Sequence, residues 1–556
     1  MHYQPQASAI GAVLFDILQV DTQLAALAPF EQVDGDLMRQ VLEEAGKFVG
    51  DVVAPLNAVG DHPGCQFAAG TVTTPPGFKA AYQAFWQAGW PALSADPADG
   101  GQGLPGVLEA VLYEWLSAAN HGWTMAPGLL HGAYECIRHH ADADLKARYA
   151  GKVATGEWLA TMCLTESHAG SDLGLVRTRG TVQVDGSYRV SGSKIFISGG
   201  EHDLTDNIVH LVLGRLPDAP AGPKGLSLFL VPKFLPDGAR NTAVCERIEE
   251  KMGLHGSPTC VMRFDEATGW LVGEAGRGLN AMFVMMNSAR LHVALQGIGL
   301  LDAAWQKADA YAQERRQMRA PGARKPAGEA DLIAEHPAIR RMLDTQRAWV
   351  DTARVLAYRT GLELDLAKHH PDVARRAAAQ TWCSLVTPVL KALCTHQAFH
   401  GASECLQVFG GHGYVKEWGI EQTVRDSRVA MIYEGTNEIQ AIDLLVRKVL
   451  PDGGAALNTL LDDLLTGPGS PALQTQVAAL RAATAQILAQ APQDAALPYW
   501  VADDYLRALG IVLLQWACDR LAAHAGFAAS TRAFTAWILP ELNMRLSMVR
   551  QSLQNK

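Results

Sequence analysis

Cys163-Leu164-Thr165-Glu166-Ser167-His168-Ala169-Gly170-Ser171-Asp172 is where the chain changes character. Before it, from about residue 10 to 160, apolar residues recur at helical spacing. Leu37, Val41, Leu42, Ala45 and Val49 fall at i, i+4, i+5, i+8 and i+12 and predict one buried helix face. Beyond it, Thr181–Val184, the turn pair Asp185-Gly186 and Tyr188–Ser191 alternate as a β-hairpin does. Short apolar runs at Ile208–Leu213, Leu226–Val231 and Cys260–Phe264, each bounded by Gly, Pro or Asp, suit a small barrel or sandwich. After Gly278 helical spacing returns and runs to about Val449, interrupted by a Pro/Gly/Ala-rich stretch at Arg319–Glu329 that reads as a surface loop. Thr466–Pro471 reads as a linker into a last helical segment, where Leu509, Val512, Leu513 and Trp516 share one face.

The 556 residues are enough for three or four domains, and 48% apolar with 19% charged residues excludes a disordered chain. The net charge of −10 lacks the basic excess that phosphate backbones demand, so no nucleic-acid partner is expected. Nine cysteines are scattered without a C-x-x-C or Cys/His cluster, so neither a disulfide framework nor a metal site is expected. No basic leader or apolar span of about 18 residues is evident, and the expectation is a cytoplasmic protein without a transmembrane segment.

Four segments place Gly, hydroxyls and one acid where local structure alone would not ask for them. In the opening stretch, Gly170 admits close backbone approach, and Thr165 and Ser171 offer donors to a ring edge or phosphate; an ordinary Asx/ST turn is the alternative. Ser193–Gly200 reads as a strand with Phe196 and Ser198 on one face, the ring suited to stacking on a planar cofactor or to a core. Gln407-Val408-Phe409-Gly410-Gly411-His412-Gly413-Tyr414 is a Gly-rich break whose amides can face an anion. It is not G-x-G-x-x-G after a strand, and a lone His412 in a turn is more often a hydrogen-bonded structural group than a proton carrier. In Met431–Gln440, Glu434 leaves an apolar run before Gly435. Ile432 and Tyr433 can strip it of water and raise its pKa toward a general base's range, against the alternative of a solvated helix-end acid.

In this order and at these separations the segments resemble the acyl-CoA dehydrogenase flavoprotein family. The resemblance rests on Cys-Leu-Thr-Glu…Ala-Gly-Ser-Asp at 163–172, Lys-Ile-Phe-Ile-Ser at 194–198, Lys-Met-Gly at 251–253, Arg290, the 407–414 run, Arg425-Asp426 and Tyr-Glu-Gly-Thr-Asn at 433–437. It covers roughly residues 35–450. Asp172–Thr178, Gly200–Thr205, Gly253–Cys260, Ala267–Gly273 and the helical segment after Pro471 are similar to an extended subgroup, that of 3-methylmercaptopropionyl-CoA and long fatty acyl-CoA dehydrogenases.

The resemblance implies a multidomain α protein with a central β-barrel domain. Its parts are a helical domain at 1–160, the barrel at 161–277, a four-helix bundle with the catalytic base at 278–450 and a helical extension at 451–556. It implies FAD as cofactor and Glu434 as the base that takes the α-proton of an acyl-CoA while hydride passes to the flavin. Leu164, Thr165, Gly170, Ser171, Phe196 and Ser198 would line the isoalloxazine and pyrophosphate. Arg315, Gln407, Gly411, Thr436, Asn437 and Glu438 would hold the rest of FAD, Arg315 reaching across a subunit interface. Ser171, Asn287, Arg290 and Gly435 would meet the substrate. Ser167-His168 departs from the usual Pro-containing pair, Asn287 stands where a carboxylate is common, and Arg319 stands where Gly often follows the FAD-binding Arg. Electron-transfer flavoprotein is the expected partner and a homo-oligomer, with a dimer favoured, the expected assembly. An O₂-using acyl-CoA oxidase and a non-catalytic nucleic-acid-binding relative are the alternatives. From Pro451 onward seven Lys/Arg stand against eight Asp/Glu, which disfavours the latter.

Overall fold

The computed structural model describes residues 2–322, 329–467 and 469–554, the side chains of Asn287 and Ser288 excepted. Residues 323–328 of the expected surface loop and Pro468 of the expected linker thus lie outside the described residues. The chain divides into two compact units: Met1–Gly46, Pro105–Ala118 and Val293–Lys556 form one, Lys47–Leu104 and Ala119–His292 the other.

The second unit carries the strands. A short hairpin pairs β1 (Gln66–Ala68) with β2 (Thr71–Thr73). The seven-stranded sheet contains β3 (Leu159–Cys163), β4 (Arg179–Val182), β5 (Tyr188–Ser198), β6 (Ile208–Arg215), β7 (Leu226–Pro232), β8 (Ala243–Ile248) and β9 (Thr259–Val272). Its order is β3-β6-β4-β5-β9-β7, with β8 on β9 and a further β6–β7 pairing. The expected hairpin is β4–β5, with Val182 opposite Tyr188. β6 and β7 are buried along nearly their whole length, which explains why they read as continuous apolar runs rather than alternating ones. Val190, Ile197, Val212, Phe229, Met262 and Phe264 are among the side chains of the sheet's core.

The register of β5 against β9 slips where Lys194 faces Met262 but Ile197 faces Cys260, one extra residue on β5. Such a bulge bends the strand and re-aims a side chain. Here it places Phe196 at φ +60°, with the residue 61% exposed. Phe196 therefore does not belong to the core, the commoner fate of a strand phenylalanine.

The other unit is helical. Gly35–Phe48 buries Met38, Leu42 and Ala45, and Val49 follows on; Leu37, expected on that face, is exposed. Three long helices follow the sheet in sequence, Gly278–Glu314, Pro337–His369 and Val373–Val408, the first shared between the two units. Pro388 interrupts the last by leaving the Ser384 carbonyl without its helical N–H, and Lys448 Nζ donates to that carbonyl at 2.6 Å. Helix Leu497–Leu521 corrects the one-faced expectation. Ile511, Leu514 and Ala517 are buried as fully as Leu509, Val512 and Leu513, because helices pack against it on several sides. No described helix is long and apolar enough to cross a membrane.

Candidate active site

In the strand-bearing unit, β3 ends at Cys163 and the chain turns tightly: Glu166 and Ala169 exchange both backbone hydrogen bonds at 3.0 Å. The carboxylate of Glu166 fixes this turn from inside. It accepts from the Arg177 N–H at 2.8 Å, the Thr178 N–H at 3.0 Å, the Thr178 hydroxyl at 2.6 Å and Lys194 Nζ at 2.9 Å. Burial by itself would raise its pKa, but the Lys194 ammonium and these donors outweigh burial and hold it at about 2. Lys194, wholly buried, is held below the usual lysine range, because its burial outweighs the attraction of Glu166.

Lys194 also donates to the Leu164 carbonyl at 2.9 Å, and the Ile195 N–H donates to the Thr165 carbonyl at 2.9 Å. Two segments far apart in sequence, 163–172 and 193–200, are thus brought side by side. Past the turn, Gly170 and Ser171 are exposed, and nothing lies within 4 Å of where a Cβ on Gly170 would sit. Leu164 is buried, Thr165 and Ser198 are half-buried, and Phe196 projects from its bulge beside them in sequence. Arg290 is buried in this unit, whereas the side chain of Asn287 lies outside the described residues.

In the helical unit the remaining residues fall in two places. At one, Phe409 stacks on Tyr311 with ring centroids 4.2 Å apart, which brings the end of helix Gly278–Glu314 to the end of helix Val373–Val408. Arg315 and Gln407 are exposed there, and Gly411 is exposed with no atom within 4 Å of a Cβ position. His412 accepts or donates at 2.9 Å with the Tyr311 hydroxyl and stacks on Trp418 at 4.6 Å, the structural role that its place in a turn suggests.

The other place is the turn Ile432–Thr436, which leads into helix Asn437–Leu444, capped by the Thr436 hydroxyl. Glu434 is half-buried at φ +55°, the left-handed region that non-glycine residues occupy at a cost. Ile432 is 51% exposed and so gives Glu434 less shelter than expected, and the Tyr433 hydroxyl is engaged at 2.6 Å with Gln296. The carbonyls after Glu434 are held from below. Gln440 Nε2 donates to the Glu434 carbonyl at 3.0 Å, and Lys391 Nζ donates to the Gly435 carbonyl at 2.8 Å. Asn437 spends its side chain inward: Oδ1 accepts from Lys391 and from the Thr395 hydroxyl, and Nδ2 donates to the Ala392 carbonyl. Toward a cofactor it is left with its backbone. Glu438 is exposed.

Lys391, which reaches the Glu434 turn, and Gln407, two residues before the Phe409 that stacks on Tyr311, are sixteen residues apart on one helix, about 24 Å at 1.5 Å per residue. Within the helical unit the expected FAD residues therefore do not form one cluster. Sequence reading missed Glu166, Lys194, Lys391 and Gln440 as residues that shape these sites. The available signal was a charge within an apolar run: Lys391 sits in Val389-Leu390-Lys391-Ala392-Leu393.

Family models of the acyl-CoA dehydrogenase N-terminal, middle and C-terminal domains match residues 36–157, 161–267 and 276–449. The chain is 42% identical over 525 residues to 3-methylmercaptopropionyl-CoA dehydrogenase of Ruegeria pomeroyi, covering 91% of this chain and 89% of that one. It is 34% identical over 563 residues to the broad-specificity linear acyl-CoA dehydrogenase FadE5 of Mycobacterium tuberculosis, covering 94% and 90%. The fold is similar to that of Caenorhabditis elegans ACDH-11 in complex with C11-CoA, with a TM-score of 0.78, 19% identity and coverage of 99% and 94%. The Bacillus anthracis acyl-CoA dehydrogenase complexed with FAD gives a TM-score of 0.73 at 21% identity, over 93% and 91%. With all three domain models matched in order, and relatives similar over nine-tenths of its length, the chain belongs to the acyl-CoA dehydrogenase family.

Proposed function

We propose that the protein dehydrogenates an acyl-CoA thioester to the trans-2-enoyl-CoA, with Glu434 as the base. The observation that carries this reading is the Glu434 turn: an acid in a strained left-handed conformation, its following carbonyls pinned by two buried side chains. Strain of this kind costs on the order of 1–3 kcal/mol and persists where the surroundings enforce it.

The residues present fit FAD. Phe196 offers an exposed ring on a bulge, Gly170 and Gly411 leave open backbone where a Cβ would otherwise intrude, and Thr165 and Ser171 supply hydroxyl donors. Leu164, Thr165, Gly170, Ser171, Phe196 and Ser198 would hold its ring and pyrophosphate, and Thr436, Asn437 and Glu438 its nearby parts. Arg315, Gln407 and Gly411, distant along the helix from the Glu434 turn, would serve FAD across a dimer interface. When bound, FAD supplies the acceptor for the hydride that leaves the β-carbon, chemistry no side chain can supply. Glu434 takes the α-proton, and its backbone N–H donates to the thioester oxygen, where enolate charge gathers. Asn287, Arg290, Gly435 and Ser171 orient the CoA thioester.

The four-part domain division at 160/161, 277/278 and 450/451, closure of the sheet into a barrel, a cytoplasmic location and electron-transfer flavoprotein as electron acceptor belong to the same proposal. The resemblance to a methylthio-acyl and a linear-acyl enzyme supports a short or linear acyl group. An acyl-CoA panel, read as anaerobic bleaching of FAD-loaded protein, tests the reading. Bleaching by at least one straight-chain or methylthio acyl-CoA is expected, and protein that stays yellow with every member overturns it.

A further inference from the structure

Glu434 does not hold its own conformation. Its φ of +55° is one that non-glycine residues leave unless packing or hydrogen bonds oppose the change. The next residue, Gly435, is also left-handed at φ +82°, and a Cβ there would lie 2.8 Å from Gln440 Nε2. Both residues turn their carbonyls toward the helices beneath, where two wholly buried side chains meet them. Gln440, six residues later and one turn into the following helix, donates to the Glu434 carbonyl at 3.0 Å and to the Gly435 carbonyl at 3.4 Å. Lys391, on the long helix Val373–Val408, donates to the Gly435 carbonyl at 2.8 Å and to Asn437 Oδ1 at 3.0 Å.

Lys391 is itself braced. The Thr395 hydroxyl lies 2.7 Å from the Lys391 carbonyl and 3.1 Å from Asn437 Oδ1, and its one proton serves either acceptor. Asn437 Nδ2 returns a hydrogen bond to the Ala392 carbonyl at 3.1 Å, closing a network between the helix and the turn. A buried ammonium is costly to desolvate, and donating to a backbone carbonyl rather than filling an apolar gap is a use that repays part of that cost. A leucine or methionine at 391 would pack the same helices.

We propose that Lys391 and Gln440 are positioning residues for Glu434: together they clamp the Glu434–Gly435 carbonyls and so fix the direction in which the carboxylate points. The inference deepens the reading of Glu434 as base and rests on it. Neither residue touches the acyl-CoA in this account. Their effect is on the alignment of the acid with the α-carbon, and misplacement on the order of 1 Å costs about 10²-fold in rate.

The test uses FAD-loaded full-length wild type, Lys391→Met and Gln440→Leu with an acyl-CoA that bleaches the wild type. Stopped-flow gives the first-order rate of flavin reduction at saturating substrate, and the flavin spectral shift on adding the 2-enoyl-CoA product gives its Kd. A clamp lowers the reduction rate by about 10²-fold in Lys391→Met and about tenfold in Gln440→Leu, with FAD content and Kd within about threefold of wild type. Rates within threefold of wild type in both variants overturn the proposal. So does a parallel loss of FAD and of product binding, which would make the pair mere scaffold. If Lys391→Met does not fold, Gln440→Leu decides by the same criteria. A wild type that no acyl-CoA bleaches instead sinks the dehydrogenase reading, so the two failures are distinguishable.

Discussion

Glu166→Gln removes one charge and almost no volume from the turn that presents Gly170 and Ser171. In the wild type the carboxylate sits at a pKa of about 2 against 4.5 for a free glutamate side chain. Burial opposes that shift, and Lys194, Thr178 and Arg177 more than reverse it. A difference of 2.5 units at 1.36 kcal/mol each gives about 3 kcal/mol of stability at neutral pH. Because the folded value is depressed, that stability is present above about pH 4.5 and is lost as pH falls toward 2.

Breaking a buried ion pair from one side gives a similar figure, about 3–5 kcal/mol, since the Lys194 ammonium then stays buried and the new amide N–H₂ faces other donors. Urea unfolding of FAD-loaded protein at pH 7 should therefore show Glu166→Gln less stable by about 3 kcal/mol, with the deficit shrinking as pH is lowered below 4.5. The double variant Glu166→Gln/Lys194→Met should recover part of the loss, because Lys194 pays its own desolvation in the wild type. A single variant within about 1 kcal/mol of wild type at pH 7, or a deficit that does not depend on pH in this window, would show that the Glu166 charge does not stabilise the turn.

Phe196→Gly should raise the melting temperature of the flavin-free protein, since left-handed strain on the order of 1 kcal/mol is relieved and a residue 61% exposed loses little packing. The same variant should retain less FAD after gel filtration. Gly413→Ala should destabilise by a few kcal/mol in denaturant melts, because its Cβ would lie 2.5 Å from the Leu406 carbonyl oxygen. Gly411→Ala, whose Cβ meets nothing within 4 Å, should leave flavin-free stability unchanged and lower FAD retention. Asp365 accepts from the Gly106 and Val107 N–H groups at a helix start, yet burial raises its pKa to about 7. Because its folded value is raised, the contribution of Asp365 to stability is fully present below about pH 4 and is lost as pH rises toward 7. Asp365→Asn should therefore gain on the wild type across that window, by at most about 4 kcal/mol, in pH-dependent urea melts.

Much of the fold was legible because its signals are local. Asp185-Gly186 lies between β4 and β5, the apolar runs at 208, 226 and 260 became β6, β7 and part of β9, and helical spacing resumed after Gly278. What was not legible depends on partners remote in sequence. β8 is short and half-exposed, and only its pairing with β9 makes it a strand. The bulge at Phe196 comes from a register against β9, which alternation within β5 cannot reveal. Helix Leu497–Leu521 was read as one-faced because its extra buried positions depend on how many helices surround it. At the site, Glu434 and Gly435 stood out by composition, but the two side chains that hold their carbonyls, Lys391 and Gln440, come from a helix 43 residues earlier and from the helix that follows. The charge of Lys391 inside an apolar run marks it as unusual, but not which carbonyl it meets.

With Glu434 as the proton acceptor in acyl-CoA oxidation, Glu434→Gln should stop the reaction while leaving the site otherwise intact. The amide keeps the size of the side chain and cannot take a proton. FAD-loaded variant and wild type are mixed anaerobically with the same acyl-CoA while flavin absorbance is followed. The variant should stay yellow and bind the enoyl-CoA product with near-normal affinity, its reduction rate down by at least about 10²–10⁴-fold. Bleaching of Glu434→Gln at a rate close to that of the wild type would contradict Glu434 as the proton acceptor.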